Sequence, residues 1–181
     1  LVGEDLELLD IALDGRPLPP EEYRLGEDEL VLFRPPERFS LETTARINPA
    51  ANTKLSGLYL SNGIFCTQCE AQGFRRITWY LDRPDVLARF RVRLEGPQAM
   101  LPVLLSNGNP ISRGTFGDGW HYATWEDPYP KPAYLFALVA GDLAVRRDQW
   151  RTRSGRAVAL AIYSEPAFID QTAHAMESLK R

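Results

Sequence analysis

Hydrophobic and polar residues alternate with a period of two along much of the chain. The alternation is clearest in four segments, Phe39–Ile47, Arg89–Glu95, Trp120–Trp125 and Ala157–Tyr163. Successive side chains of a β-strand point to opposite faces, so this pattern predicts strands with one buried and one solvated face. The continuous apolar run 133–140 is far too short to span a bilayer. A short apolar run of this length predicts a buried strand.

Turn signals separate the predicted strands at short intervals. Tight turns are favoured by four dipeptides, Asp14-Gly15, Asn107-Gly108, Asp118-Gly119 and Ser154-Gly155. Prolines are excluded from the interior of paired strands, so loops are predicted at Pro19-Pro20, Pro35-Pro36 and 127–132. Many short strands with this punctuation indicate an all-β fold, either a sandwich or a set of open, curved sheets.

The last residues of the chain follow a different pattern. From Glu165-Pro166 onward the apolar residues fall at roughly helical spacing, namely Phe168, Ala175, Met176 and Leu179. Proline suits the first turn of a helix, and the basic pair 180–181 suits its C-terminal end. We therefore expect a β-domain over 1–164 and a helix over 165–181 that opens a further domain. Because the chain begins with Leu rather than Met, the β-domain is expected to be truncated at its start.

Composition narrows the range of partners. The 181 residues carry 21 Lys and Arg against 24 Asp and Glu, a net charge of -3, without a basic stripe. This balance argues against a nucleic-acid partner, and no segment is apolar enough to indicate a membrane partner. The length and the hydrophobic content of 44% are sufficient for one core.

Both cysteines, Cys66 and Cys69, lie in one short segment with two residues between them. This spacing is typical of a zinc knuckle or a redox pair. A structural zinc site needs about four ligands, and the other candidates, His121 and His174, are distant in the sequence and lack a motif. A redox pair normally begins a helix in a βαβ unit, which the surrounding sequence does not predict. We therefore expect two reduced, partly buried thiols.

Gln68 and Glu70 flank the second cysteine. In an extended backbone residues two apart point to the same side, so these two would share a face while Cys69 takes the other. An ammonium group has three N–H donors and no acceptor, and neighbouring amide and carboxylate oxygens would receive it. The alternative left open by the residues alone is that two polar side chains simply face water.

Four segments carry a resemblance to the N-terminal domain of the gluzincin family of zinc aminopeptidases, and the resemblance covers nearly the whole chain. They are Asn52–Tyr59, Cys66–Phe90, Leu105–Asn109 and Lys131–Leu143. The resemblance implies a saddle-shaped β-domain of mixed and antiparallel sheets, packed against a thermolysin-like catalytic domain. The H-E-x-x-H zinc motif and the G-A-M-E-N motif of that catalytic domain do not occur in this sequence.

The resemblance also implies a function. The chain would be a non-catalytic domain of a zinc-dependent aminopeptidase that removes N-terminal amino acids from peptides, with zinc bound elsewhere in the parent enzyme. Gln68 and Glu70 match the family pair that binds the substrate's α-amino group. The peptide bond between Glu70 and Ala71 is expected to be cis. Peptides with free N-termini and the enzyme's own catalytic domain are the implied partners, and the implied location is the bacterial cytoplasm.

Two further predictions concern the segment after the cysteines. Arg75 and Arg76 are adjacent, and we expect them to form structural salt bridges rather than an anion site. Asp82 begins a turn with Pro84 and is expected to cap a short helix through Leu87. From the residue pattern alone, the alternative function is a stand-alone β-sandwich module that binds a carbohydrate or another protein.

Overall fold

The computed structural model describes all 181 residues and contains fourteen β-strands and one α-helix. The strands are β1 (Glu7–Leu13), β2 (Arg16–Pro17), β3 (Tyr23–Leu25), β4 (Leu30–Leu32), β5 (Leu41–Arg46), β6 (Gly57–Ser61), β7 (Ile64–Gln68), β8 (Ala88–Pro97), β9 (Val103–Ser106), β10 (Asn109–Phe116), β11 (Trp120–Lys131), β12 (Leu138–Gly141), β13 (Ala144–Arg151) and β14 (Ala157–Ser164). The helix α1 is Ala173–Leu179, and short 3-10 segments occupy Pro20–Glu22, Pro49–Ala51, Phe74–Arg76, Ala133–Leu135 and Pro166–Thr172.

The strands form five sheets, which confirms the all-β prediction. The largest has four strands in the order β6-β7-β12-β9, two others have the orders β2-β1-β5 and β10-β11-β8, and β3-β4 and β13-β14 are hairpins. Every pairing is antiparallel, so the expectation of mixed sheets was wrong. Parallel neighbours require crossover connections of about a dozen residues or more, usually helical, and the α-helix lies after the last strand.

All four alternating segments form strands, but β11 is longer than predicted. It continues through the expected proline loop, with Asp127 paired to Phe90 and Lys131 paired to Ala88. The three residues between these pairs, including both prolines, have no partner in the ladder. The strand therefore tolerates the prolines by bulging, since a bulge leaves its extra residues without ladder hydrogen bonds.

The apolar run 133–140 is only partly a strand. Its first residues form a 3-10 turn, in which the N–H of Phe136 donates to the carbonyl of Ala133 at 3.0 Å, and β12 starts at Leu138. Ala133 and Phe136 are buried in the core. These two positions are apolar because they are buried, whereas Leu135 between them is 50% exposed. Periodicity alone cannot distinguish such a turn from a buried strand.

Two hydrophobic clusters form the interior. One contains Ile11, Leu18, Leu30 and Trp79, and the other contains Cys69, Phe74, Ala133 and Phe136. The second cluster is built around Phe74, whose ring meets those of Tyr80, Phe90 and Phe136 edge-to-face at centroid distances of 5.0, 5.8 and 5.1 Å. Such aromatic arrangements add to the stabilisation from buried area. This aromatic cluster lies directly against the segment that follows β7.

The C-terminal segment packs on β13. The Arg146 guanidinium donates to Thr172 Oγ1 at 2.9 Å and to the carbonyl of Ile169 at 3.2 Å, while Lys180 pairs with Asp148 at 2.7 Å. The predicted helix exists, but it begins at Ala173, seven residues after Pro166, and Met176 is its buried residue. This helix is neither long enough nor apolar enough to cross a membrane. That 165–181 opens a further domain stays a prediction.

Candidate functional site

The predicted pair of polar residues lies at the end of β7, an interior strand of the four-stranded sheet. β7 pairs with β6 through a hairpin whose Asn62 and Gly63 have φ values of 49° and 78°. Positive φ at both positions suits the tight turns that match strand twist, and this Asn-Gly signal was missed in the sequence. On its other side, β7 pairs with β12. The strand is therefore paired with β6 up to Gln68 and with β12 up to Cys66.

Beyond Gln68 the chain leaves the strand and makes a turn. Gln68 and Glu70 are exposed, whereas Cys69 between them is only 3% exposed, as the predicted alternation requires. Gln68 Nε2 donates to the backbone carbonyl of Glu70 at 3.2 Å, so the Gln68 side chain lies toward Glu70. The Glu70–Ala71 peptide bond is cis, which confirms that prediction.

The two side chains offer acceptors to the outside. The Glu70 carboxylate has no ion-pair partner within the chain. The Gln68 amide uses its nitrogen for the bond to Glu70, which leaves its oxygen free to accept. The pair can therefore receive a donor-rich cation such as an ammonium group.

The segment Gln68–Arg76, called here the 68–76 turn, closes tightly on a glycine. The N–H of Gly73 donates to the carbonyl of Cys69 at 2.8 Å. A Cβ atom at Gly73 would lie 2.2 Å from the carbonyl oxygen of Gln68 and 2.9 Å from the nitrogen of Gly57. Only glycine lets these three backbone segments approach so closely.

Ion pairs hold the end of the 68–76 turn. Asp82 is 4% exposed and accepts from the Arg75 backbone N–H at 3.1 Å and from Arg75 Nε at 3.0 Å. Arg75 Nη2 also donates to the Asp82 carbonyl at 3.0 Å, and Arg76 pairs with Glu4 and Asp5. The structural role predicted for the two arginines is confirmed.

The helix-capping role predicted for Asp82 was wrong. No helix forms between Asp82 and Leu87, and the carboxylate turns inward to Arg75 instead of outward to a helix start. An aspartate beside a proline turn fits both arrangements. Because the residue that selects between them lies seven positions earlier, local sequence could not reveal the buried pair.

The cysteines are structural thiols in this arrangement. Both are free, and burial, followed by the charge of Asp82, raises the pKa of Cys69 to about 12. Cys69 is therefore protonated at neutral pH and unsuited to act as a nucleophile or metal ligand. Cys66 is half-buried and lies opposite Tyr59 on β6, and its thiol raises the pKa of the Tyr59 hydroxyl.

The residues of this chain do not fit a zinc site. Nowhere do three or more His, Cys, Asp or Glu side chains gather in a way that could hold a metal ion. His121 is half-buried, with its Nε2 2.6 Å from the carbonyl oxygen of Leu101, and His174 is exposed on α1. Neither histidine lies with the cysteines, so these four residues do not form a set of zinc ligands.

The fold defines a class of domain that known proteins share. A family model described as the Peptidase M1 N-terminal domain matches residues 28–135, and the chain belongs to this family. Aminopeptidase N of Caulobacter vibrioides is 52% identical over 181 residues, which cover all of this chain and 21% of that protein. The family expectation drawn from the sequence is thereby confirmed.

Solved structures agree with this assignment. The chain resembles Legionella pneumophila aminopeptidase A, solved in complex with aspartic acid, with a TM-score of 0.94 and 36% identity over 99% of this chain and 21% of that one. An M1 zinc metallopeptidase from Deinococcus radiodurans, 18% identical, matches 91% of this chain and 39% of its own with a TM-score of 0.74, which shows the fold alone. The chain thus spans about a fifth of the length of the aminopeptidases it matches. The roles of Gln68 and Glu70 stay predictions.

Proposed function

We propose that this chain is the non-catalytic β-domain of a zinc-dependent aminopeptidase that removes N-terminal amino acids from peptides. Gln68 and Glu70 would bind the α-ammonium group of the substrate. The observation that carries this proposal is the exposed Glu70 carboxylate, which has no ion-pair partner, together with the exposed Gln68 amide that bonds the Glu70 backbone, on a turn fixed by buried contacts. The aminopeptidase relatives, which match along the whole chain, support the activity.

Charge explains why such a site would select peptide ends. A free N-terminus carries an ammonium group with three donors, which the carboxylate and amide oxygens can receive. The interior of a peptide offers no such cation, so the acceptors would lose their hydration without gaining a partner. Sites built to bind a polar group strongly reject ligands that lack it. Fixing the ammonium also fixes the position of the first peptide bond relative to the rest of the site.

The remaining chemistry is assigned to the longer protein. The matched aminopeptidases are about five times as long as this chain, and zinc, the H-E-x-x-H motif and the G-A-M-E-N motif would belong to a catalytic domain in the rest of the protein. Residues 165–181 would form the connection to it, and the bacterial cytoplasm is the proposed location. An open reading frame that continued into an unrelated domain would instead favour a stand-alone binding module.

Replacing Glu70 in the full-length gene product tests the binding role. Glu70→Ala should raise KM for alanine p-nitroanilide about 10- to 100-fold, because a hydrogen bond to a charged group contributes ~1.5–3 kcal/mol. Glu70→Gln keeps the size of the side chain but removes its charge, so its KM should lie between those of the wild type and Glu70→Ala. Steady-state kinetics at saturating zinc would measure both effects.

A matched control comes from the same turn. Gln72 is exposed and lies two residues after Glu70, so Gln72→Ala should leave KM within about twofold of the wild type. Wild-type kinetics in Glu70→Ala would contradict the proposed role. The 181-residue chain alone should hydrolyse nothing, and chelator-sensitive hydrolysis by the purified chain would contradict its assignment as non-catalytic.

A further inference from the structure

We propose that Asp82 is a positioning residue for the ammonium site, an inference that rests on the proposed function. Asp82 lies twelve positions after Glu70 in the sequence, and its side chain is nearly inaccessible. It would act through Arg75 by holding the 68–76 turn, and thereby set where the Glu70 carboxylate stands. Asp82 itself would not contact the substrate.

The first link joins Asp82 to the main chain of the turn. The carboxylate accepts from the backbone N–H of Arg75 as well as from its guanidinium, and the guanidinium also binds the Asp82 carbonyl. A bond to a backbone N–H fixes the path of the chain, whereas a bond between two side-chain tips does not. Three hydrogen bonds between the same two residues also define their relative orientation.

The second link runs from Arg75 back to Glu70. Phe74, directly before Arg75, is wedged into the aromatic cluster. Gly73, directly before Phe74, is bonded to Cys69 and packed so closely against Gln68 and Gly57 that it cannot move independently of them. A shift at Arg75 would therefore pass through Gly73 to the backbone that carries Glu70, because close-packed segments transmit displacement.

Burial makes the Asp82–Arg75 pair sensitive to change. The two side chains are 3% and 14% exposed, so water cannot replace a lost partner easily. Removing one member of a buried pair leaves an uncompensated charge, which is strongly unfavourable. Glu4 lies 3.7 Å from Arg75 Nη1 and would still attract the guanidinium, and its backbone N–H donates to the carbonyl of Arg75 at 2.9 Å. The backbone N–H of Arg75, in contrast, donates to Asp82. Loss of Asp82 should thus release the turn without freeing Arg75 entirely.

The same segment supplies a matched control. Asp85 pairs with Arg83 at 2.8 Å, but these side chains are 67% and 65% exposed. Exposed pairs contribute little to stability. Comparing Asp82→Asn with Asp85→Asn therefore compares the same chemical change, three residues apart, on a buried pair and on an exposed one.

The test uses the zinc-loaded full-length gene product and two inhibitors that differ only in the α-amino group, alanine hydroxamate and propanohydroxamate. Asp82→Asn should weaken inhibition by alanine hydroxamate about tenfold, an effect of ~1.4 kcal/mol. Inhibition by propanohydroxamate should change less than about twofold, because it has no ammonium to position. Asp85→Asn should leave both inhibition constants within about twofold.

Equal weakening of both inhibitors by Asp82→Asn, or no weakening, would overturn the inference, because a general structural role does not discriminate between them. If Asp82→Asn does not fold, Arg75→Lys decides, since it keeps the charge but loses the bond from Nε. Arg75→Lys should weaken alanine hydroxamate selectively, and an unselective effect would overturn the inference. Glu70→Ala distinguishes failure of the proposed function from failure of the Asp82 inference. If Glu70→Ala does not selectively weaken inhibition by alanine hydroxamate, the proposed function itself fails. If Glu70→Ala weakens it selectively but Asp82→Asn does not, only the role of Asp82 is removed.

Discussion

Two surface turns of this domain are built in opposite ways. The 68–76 turn has both Cys69 and Phe74 buried and closes on a glycine that no other residue can replace without displacement. The turn between β10 and β11 instead exposes its flanking aromatic residues, with Phe116 44% and Trp120 40% exposed and their rings 6.2 Å apart. A Cβ atom added at Gly117 in that turn would have no other atom within 4 Å.

The difference shows where the shape of each turn originates. The β10–β11 turn is set locally: Asp118 and Gly119 adopt φ values of 59° and 76°, and the N–H of Trp120 donates to the carbonyl of Gly117 at 3.3 Å. The 68–76 turn depends on partners distant in the sequence, including Glu4, Gly57 and Asp82. A binding site needs side chains held by surrounding packing and hydrogen bonds, and only the 68–76 turn meets this requirement.

The largest expected difference between the turns comes from removing an aromatic ring. Phe74→Ala should lower the free energy of unfolding by ~3–5 kcal/mol, the usual cost of truncating a buried phenylalanine. Phe116→Ala should cost less than about 1 kcal/mol, because Phe116 is 44% exposed and outside both buried clusters. Urea unfolding followed by tryptophan fluorescence would measure both, and similar losses would show that the turns are equally buttressed.

Adding one methyl group should separate the turns almost as clearly. Gly73→Ala places a Cβ against backbone atoms that cannot rotate away, and should cost ~2–4 kcal/mol. Gly117→Ala meets open space without a positive φ and should change stability by no more than ~0.5 kcal/mol. The same unfolding assay applies, and a harmless Gly73→Ala would refute the close approach of Gly57, Gln68 and Gly73.

The smallest expected effect is a pH dependence confined to the 68–76 turn. Because burial raises the pKa of Cys69 to about 12, the unfolded chain loses this proton first as the pH rises. The stability that the protonated Cys69 thiol contributes is complete below the unfolded-state pKa of ~8.5 and is lost progressively as the pH rises to about 12.

Between pH 8 and pH 10, Cys69 should therefore lower the free energy of unfolding by ~1–2 kcal/mol. Cys69→Ala should remove this part of the slope, while other titrating groups cancel in the comparison. Identical slopes in the two proteins would indicate that the thiol is accessible to water.

Much of the fold follows from local patterns. The alternating segments became β5, β8, β11 and β14 because one face of each strand must be buried, and the Asp-Gly pairs became tight turns. Prediction failed where an apolar segment is not a strand, as in the run 133–140, which starts with a 3-10 turn at Ala133. The bulge around Pro128 and Pro130 was hidden because it depends on pairing with β8.

The candidate site divides in the same way. The opposite exposure of Gln68 and Cys69 follows from alternation, and the residues around them suffice to indicate the family. The supports of the site come from elsewhere in the chain: Asp82 is seven residues from its partner, and Glu4 is 72 residues from Arg76. The sequence predicted structural salt bridges for Arg75 and Arg76, but no local pattern encodes their partners, which were found only in three dimensions.

The position of β12 in its sheet has a consequence for how the protein is made. Phe65 and Cys66 pair with Ala140 and Val139, so the outer edge of β7 stays uncovered until the ribosome has added some seventy more residues. Until then, a growing chain displays a hairpin with open hydrogen-bonding groups, the kind of edge that recruits other strands. Synthesis halted before Leu138 would therefore yield a product prone to self-association, however well its first strands had formed.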